Sequence, residues 1–398
     1  MYKVAVIFES SPFDRKGLFN AVHERIKALK ATGQCIVDAY CIHSRDNAFT
    51  RSVRHTPQTP DVPSLEIEGI TYNFLWYRFS IFDHFIYDKL HCRPFFFGRF
   101  MDRSLSVLNG YDCVIAHSFT GGLFAYEANK RYGVPYFVNW HGSDVHTHPW
   151  KNPIQLSVSK VIMEGAVCNF FVSQALMLDS DRIASNAAKQ VIYNGVSEHF
   201  ARLSDDERSR LRADYSIDDQ EKVVAFVGNI SAVKNPGQLQ PIFNEVRSRY
   251  EGKVKFWIIG DGKLRKEVES AIAADPSIDV KFWGNLPAQQ MPSIMNVIDV
   301  LVLPSLNEGL PLVCVEAITC GANVVASAVG GIAEVIGAEN TVVLDADFVP
   351  NMAQKVVDYL NAPSEQTLSS VFSWTDAASR ELQELTLCLS TRILRPKA

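Results

Sequence analysis

Leu303-Pro304-Ser305-Leu306-Asn307-Glu308-Gly309-Leu310-Pro311-Leu312-Val313-Cys314-Val315-Glu316 is the stretch that decides how this chain of 398 residues is read. The apolar run 300–303 has the length and branching of a buried strand. A turn follows. The spacing then predicts a helix that begins near Pro311, whose fixed φ and missing N–H suit a first helical position. Gly321 lies just past its expected end, where a left-handed cap favours glycine. In a parallel α/β sheet this helix start faces the crevice at the strands' carboxyl ends, and its free N–H groups attract an anion such as phosphate. Glu308 sits on the loop before the helix and Glu316 about a turn and a half inside it. Either glutamate alone reads better as a helix-dipole partner or a solvated acid, and only the spacing and context together reverse that preference. Beside an anion site, two carboxylates make poor phosphate ligands and good acceptors for hydroxyls. A ligand with phosphates in the middle and hydroxyls at both ends satisfies all three features, which describes a sugar nucleotide.

The same strand–turn–helix rhythm extends outward through the chain. Strands are expected over 223–227, 254–259, 280–282, 300–303 and 324–326 in the second half, and over 4–8, 35–42, 114–117, 136–140 and 169–172 in the first. Apolar residues at 18, 22, 26 and 29 give one face of a helix between the first two strands. Alternation of this kind predicts an α/β fold of two doubly wound, mainly parallel sheets. A polar stretch, 197–216, marks the break after the Asn194-Gly195 turn. The expected domains are therefore 1–196 and 197–375. Leu382, Leu385, Leu389 and Ile393 add an amphipathic helix over about 376–396.

Three further clusters lie at strand ends. Gly228 follows the strand 223–227 and lets backbone come close, and Lys234 shortly after offers a compact charge to a diphosphate. Gly260-Asp261-Gly262 fails as a dinucleotide fingerprint because Arg265 stands where the third glycine belongs, and turn formation accounts for it. His141, in Asn139-Trp140-His141-Gly142-Ser143-Asp144, directly follows a buried strand, a position that points into the crevice of this class of sheet, with a packed core histidine as the alternative. The loop 8–17 ends in Gly17 ahead of a helix and forms another wall. Residues 72–100 interleave twelve aromatic side chains with Arg78, Lys89, Arg93 and Arg99. Core packing, an acceptor platform and peripheral membrane contact all fit that segment.

Composition closes off several classes. With 47% hydrophobic and 21% charged residues the chain is globular, which excludes disorder as its main state. No apolar run reaches the ~18–20 residues of a membrane span. The start, Met1-Tyr2-Lys3-Val4, has no signal-peptide core, so we expect a cytoplasmic protein. The 8 cysteines form no C-x-x-C pair and are expected as free thiols without a metal site. A net charge of -5, with a mildly basic first half and an acidic second half, argues against nucleic acid. The basic half fits an anionic partner or membrane surface as well as chance variation does.

Together these residues resemble the retaining GT-B glycosyltransferases, specifically glycosyltransferase family 4. The resemblance is strongest over about 190–340. It rests on Glu308 and Glu316, a glutamate pair with seven residues between them, and on the following strand and loop through Gly330-Gly331. It implies a hexosyltransferase with no cofactor and no metal, which uses a nucleotide sugar, UDP-linked before GDP-linked, and a glycan or lipid-linked acceptor. Glu308 would then contact the donor sugar, Glu316 the ribose, and the amides of Gly309, Leu310 and Leu312 the diphosphate with Lys234. His141 would lie by the reacting sugar, and Gly228, Asn229, Gly17 and Asn194 would belong to the donor surroundings. The final helix would return to the first domain. Asn229 departs from the family, which usually has arginine there as a second cation. A sugar-nucleotide epimerase and a non-catalytic sugar-nucleotide-binding subunit remain as alternatives on the same fold.

Overall fold

The computed structural model describes residues 1–13, 17–45, 59–77, 83, 95–275 and 277–393. The chain divides into two units, Met1–Asn194 with Trp374–Ala398, and Gly195–Ser373. Each is a doubly wound α/β layer structure.

The first unit holds an eight-stranded sheet: β1 (Tyr2–Glu9), β2 (Cys35–Ser44), β3 (Ser64–Ile67), β4 (Ile70–Tyr77), β5 (Cys113–His117), β6 (Tyr136–Trp140), β7 (Cys168–Phe171) and β8 (Lys189–Val191). Their order is β3-β4-β2-β1-β5-β6-β7-β8. All neighbours run parallel except the β3/β4 hairpin. Helices on both faces explain why β5 and β6 are buried along their whole length and read as continuous apolar runs. Fully burying one aromatic side chain such as Phe137 or Phe170 contributes about 2–3 kcal/mol. The direction of the strand order reverses at β1 and β5, so the switch point of this sheet lies beside His117.

The second unit holds β9 (Glu221–Val227), β10 (Lys253–Ile259), β11 (Val280–Gly284), β12 (Val300–Leu303), β13 (Asn323–Ser327) and β14 (Thr341–Val342), ordered β11-β10-β9-β12-β13-β14 and parallel throughout. Here the order reverses between β9 and β12. The loops that leave the carboxyl ends of those two strands carry Lys234 and Glu308. Ligands of open α/β sheets bind at such a switch point.

Every strand expected from an apolar run is present; the short outer strands β8 and β14 were not expected, and three further features differ from the sequence reading. The β3/β4 hairpin was not expected. Its turn is Glu68-Gly69, both at positive φ (49° and 74°), as a two-residue hairpin turn demands, and glutamate is an unusual residue for that geometry. Tyr72, Phe74 and Tyr77 of the aromatic segment are core residues of β4. Residues 78–82 and 84–94 of that segment lie outside the described residues. The polar break contains a helix, Asp205–Asp214, started by a capping box between Ser204 and Glu207. That helix is tied to its own sheet by Arg208 and Arg212, which hold the Asp299 carboxylate at 2.9 and 3.3 Å. Finally, the helix predicted to start near Pro311 runs Leu312–Thr319, with Pro311 extended (ψ 101°) at the cap position.

The C-terminal helix, Trp374–Ile393, packs on the first helix, Gly17–Ala31, within the first unit. The seven described cysteines are free thiols, and six of them are buried. No described helix is long and apolar enough to cross a membrane.

Candidate active site

In the second unit, two loops are fastened side by side: the amide of Leu306 donates to the carbonyl of Val233 at 2.8 Å. This brings Lys234 onto Glu308, with Nζ donating to Oε1 at 2.5 Å. Both side chains are mostly covered but not sealed, at 20% and 11% exposed. Ser305 Oγ donates to the same Oε1 at 2.7 Å. The backbone of the Lys234 loop is held close to its neighbours by glycines. Gly228 lies at φ 157°, and a Cβ on Gly260 or Gly262 would overlap the carbonyl oxygens of Gly228 and Ile230. The two glycines read from sequence as a plain turn are therefore required by close approach to the loop that carries the lysine. Gly330 plays the corresponding part for Glu308, whose carbonyl oxygen a Cβ at 330 would overlap.

The helix Leu312–Thr319 begins without a capping side chain. Among the described residues, the amides of Gly309, Leu310 and Leu312 have no hydrogen-bond acceptor. Unpaired donors at a helix start carry the positive end of its dipole. Glu316 sits one turn further in; its carboxyl group has no hydrogen-bond partner among the described residues, and burial pushes it up to about 7. Cys314, completely buried on this helix, lies near enough to Glu308, Lys234 and Glu316 to feel their charges. Asn229 is exposed, and its Oδ1 lies where a side chain at Gly262 would stand.

The first unit holds a separate group of its own. His141, at the end of β6, stacks on His117, at the end of β5, with ring centroids 5.3 Å apart, and its Nε2 meets His117 Nδ1 at 3.0 Å. One nitrogen of that pair donates and the other accepts, so the pair shares a single proton. Burial first, and then Arg25, pushes the His141 imidazole down to about 3, and His117 is pushed well down by burial first and then by His141 and Arg25. Both rings are neutral at physiological pH, suited to hydrogen bonding with hydroxyls and not to holding a diphosphate. The backbone around His141 is fixed by Asp144, whose carboxylate accepts from the amides of His141 (3.1 Å) and Gly142 (2.8 Å).

Behind the histidines lies Arg25, 3% exposed. Its guanidinium donates to Asn139 Oδ1 (2.6 Å), Glu381 Oε1 (2.5 Å), the Ile192 carbonyl (2.8 Å) and Asn194 Oδ1 (3.1 Å). Asn194, read from sequence as part of the donor surroundings, is thus buried and its side-chain oxygen is taken by Arg25. Gly17 is the first residue of its helix and meets nothing within 4 Å of a Cβ position, so packing does not demand a glycine there. Of the expected residues, Gly228, Asn229, Lys234, Glu308, Gly309, Leu310, Leu312 and Glu316 belong to the second unit, and Gly17, His141 and Asn194 to the first. Sequence reasoning missed His117, Arg25 and Ser305. His117 ends a buried strand as His141 does, and that signal was available.

Residues 207–367 match the profile of glycosyl transferases group 1, and residues 24–195 match that of the glycosyl transferase 4-like domain. An uncharacterized glycosyltransferase of Methanocaldococcus jannaschii is 26% identical over 63% of this chain, an alignment spanning 60% of that relative's length. Among solved structures, sucrose-phosphate synthase from Thermosynechococcus elongatus superposes with a TM-score of 0.69 at 16% identity, covering 99% of this chain and 97% of that one. Anabaena HepE, solved in complex with UDP and glucose, superposes with a TM-score of 0.66 at 17% identity, covering 98% and 100%. The fold is thus GT-B. Matched in succession along both of its halves, the chain belongs to the group 1 glycosyltransferases.

Proposed function

We propose that the chain is a retaining hexosyltransferase that moves a sugar from a nucleoside diphosphate, UDP before GDP, to a hydroxyl of a glycan or lipid-linked acceptor, without a metal. One observation carries this reading: the uncapped helix start at Leu312, its free amides at Gly309, Leu310 and Leu312, and the Lys234–Glu308 pair all lie on two stapled loops. The amides and Lys234 supply the positive charge that a departing diphosphate needs. Glu308 accepts from a donor-sugar hydroxyl and Glu316 from the ribose. The bond between the anomeric carbon and the diphosphate oxygen breaks, and its electron pair leaves with the diphosphate. The acceptor oxygen bonds to the anomeric carbon on the same face and passes its proton to the leaving phosphate. His141, neutral, hydrogen-bonds the sugar.

Thermal shift against UDP, GDP, UDP-glucose, UDP-galactose, UDP-N-acetylglucosamine and GDP-mannose tests the donor site. A ligand at ~100 times its Kd should stabilise the folded protein by about 2.7 kcal/mol. Turnover in excess EDTA, with the product's anomeric configuration read by NMR, tests the rest. Binding without transfer or slow donor hydrolysis would point to a non-catalytic subunit, and no response to any of the six compounds would remove the proposal.

A further inference from the structure

Glu308 spends its two oxygens unequally. Oε1 accepts from Lys234 Nζ at 2.5 Å and from Ser305 Oγ at 2.7 Å, whereas Oε2 has no donor among the described residues. Ser305 is completely buried, and its carbonyl accepts from Ser327 Oγ at 2.5 Å. Ser327, also completely buried, ends β13, and Ser305 follows β12 by two residues. The two strands pair in parallel with Leu303 opposite Ala326, so the serines meet at the carboxyl ends of these two inner strands. The backbone of Ser305 is thus held by a rigid neighbour, and its hydroxyl reaches the carboxylate from that fixed base.

This matters once a diphosphate competes for Lys234. An ammonium turned toward phosphate gives less to Glu308, and a carboxylate with one mobile partner can rotate about its last bond. The O–H of Ser305 comes from the end of an inner strand and has no such competitor. From the donor reading given above we infer that Ser305 is a positioning residue. It keeps Oε1 occupied through the reaction and so presents Oε2, in a fixed plane, to the hydroxyl of the donor sugar.

Ser305→Ala isolates this contact, because the bond from Ser327 goes to the backbone oxygen, which alanine retains. Kinetics are read with whichever nucleotide sugar of the six-compound panel gives turnover, in wild type, Ser305→Ala, Glu308→Ala and the double variant. Losing one hydrogen bond to a charged group should lower kcat about 10- to 100-fold. KM should stay within about twofold, since uniform binding is untouched. In the Glu308→Ala background the serine substitution should cost nothing more, because a residue acting through another is not additive with it. An unchanged kcat in Ser305→Ala beside a large loss in Glu308→Ala overturns the inference and leaves the donor reading standing, as do losses that simply multiply in the double variant. A Glu308→Ala enzyme with full activity would instead remove the donor reading itself.

Discussion

Glu316 carries a cost that its neighbours do not offset, and glutamine in its place should expose that cost as a pH slope. Burial is the cause acting on its carboxyl, raising it from an ordinary 4.5 to about 7. The native protein therefore keeps this proton between those two values, where the unfolded chain has already released it. Stability must fall as pH rises through that window and level off above it. At about 1.36 kcal/mol per pH unit, the penalty is under ~1 kcal/mol at about pH 5 and roughly 3 kcal/mol at about pH 8. Glu316→Gln, neutral at every pH, should thus lie close to wild type at the lower pH and gain about 2–3 kcal/mol over it at the higher. Urea unfolding followed by tryptophan fluorescence at both values measures the difference, and the comparison cancels every other titrating group. A stability gap between the two proteins that does not change with pH would refute the argument. UDP, whose ribose hydroxyls can donate to the carboxylate, should stabilise wild type more than the variant at the higher pH.

Glu308→Gln should chiefly lower kcat, whereas Lys234→Ala should lower kcat and raise KM together, each by about 100-fold or more as for a lost electrostatic donor; steady-state kinetics separate the two. Asn229→Arg restores a second cation at an exposed position and should tighten UDP binding by about 0.5–1 kcal/mol, read by calorimetry. Arg25→Met leaves Glu381 buried and unpaired and should cost about 3–5 kcal/mol of stability, most of it recovered when Glu381→Met is added. Thermal melts of the three proteins check that recovery.

The strands were legible because each central one is buried on both faces and so reads as an apolar run. The β3/β4 hairpin was not: β4 mixes core aromatics with polar neighbours, and its Glu68-Gly69 turn lacks the Asn-Gly or Asp-Gly signal. The residues proposed for the donor site showed themselves through local spacing, since Glu308, the helix start and Glu316 lie within one turn–helix segment. Lys234 was legible by its place after a strand. Ser305 was quoted in that segment and still passed over, because its role depends on a hydrogen bond that spacing does not reveal. Arg25 was hidden for the opposite reason. Its partners at 139, 192, 194 and 381 are far off in sequence, and an arginine among the apolar positions of a helix reads as surface. The two glycines at 260 and 262 show the same limit, because their necessity comes from another loop's backbone.

The chain leaves the first unit after Asn194 and returns at Trp374, and one guanidinium holds both Asn194 and Glu381. As the polypeptide emerges from the ribosome, Arg25 must wait for more than three hundred residues before its counter-ion exists. The second unit, continuous in sequence, can close during that interval, while the half that began first is the last to be finished. Truncation ahead of the terminal helix would accordingly unsettle the beginning of the protein and leave its middle intact.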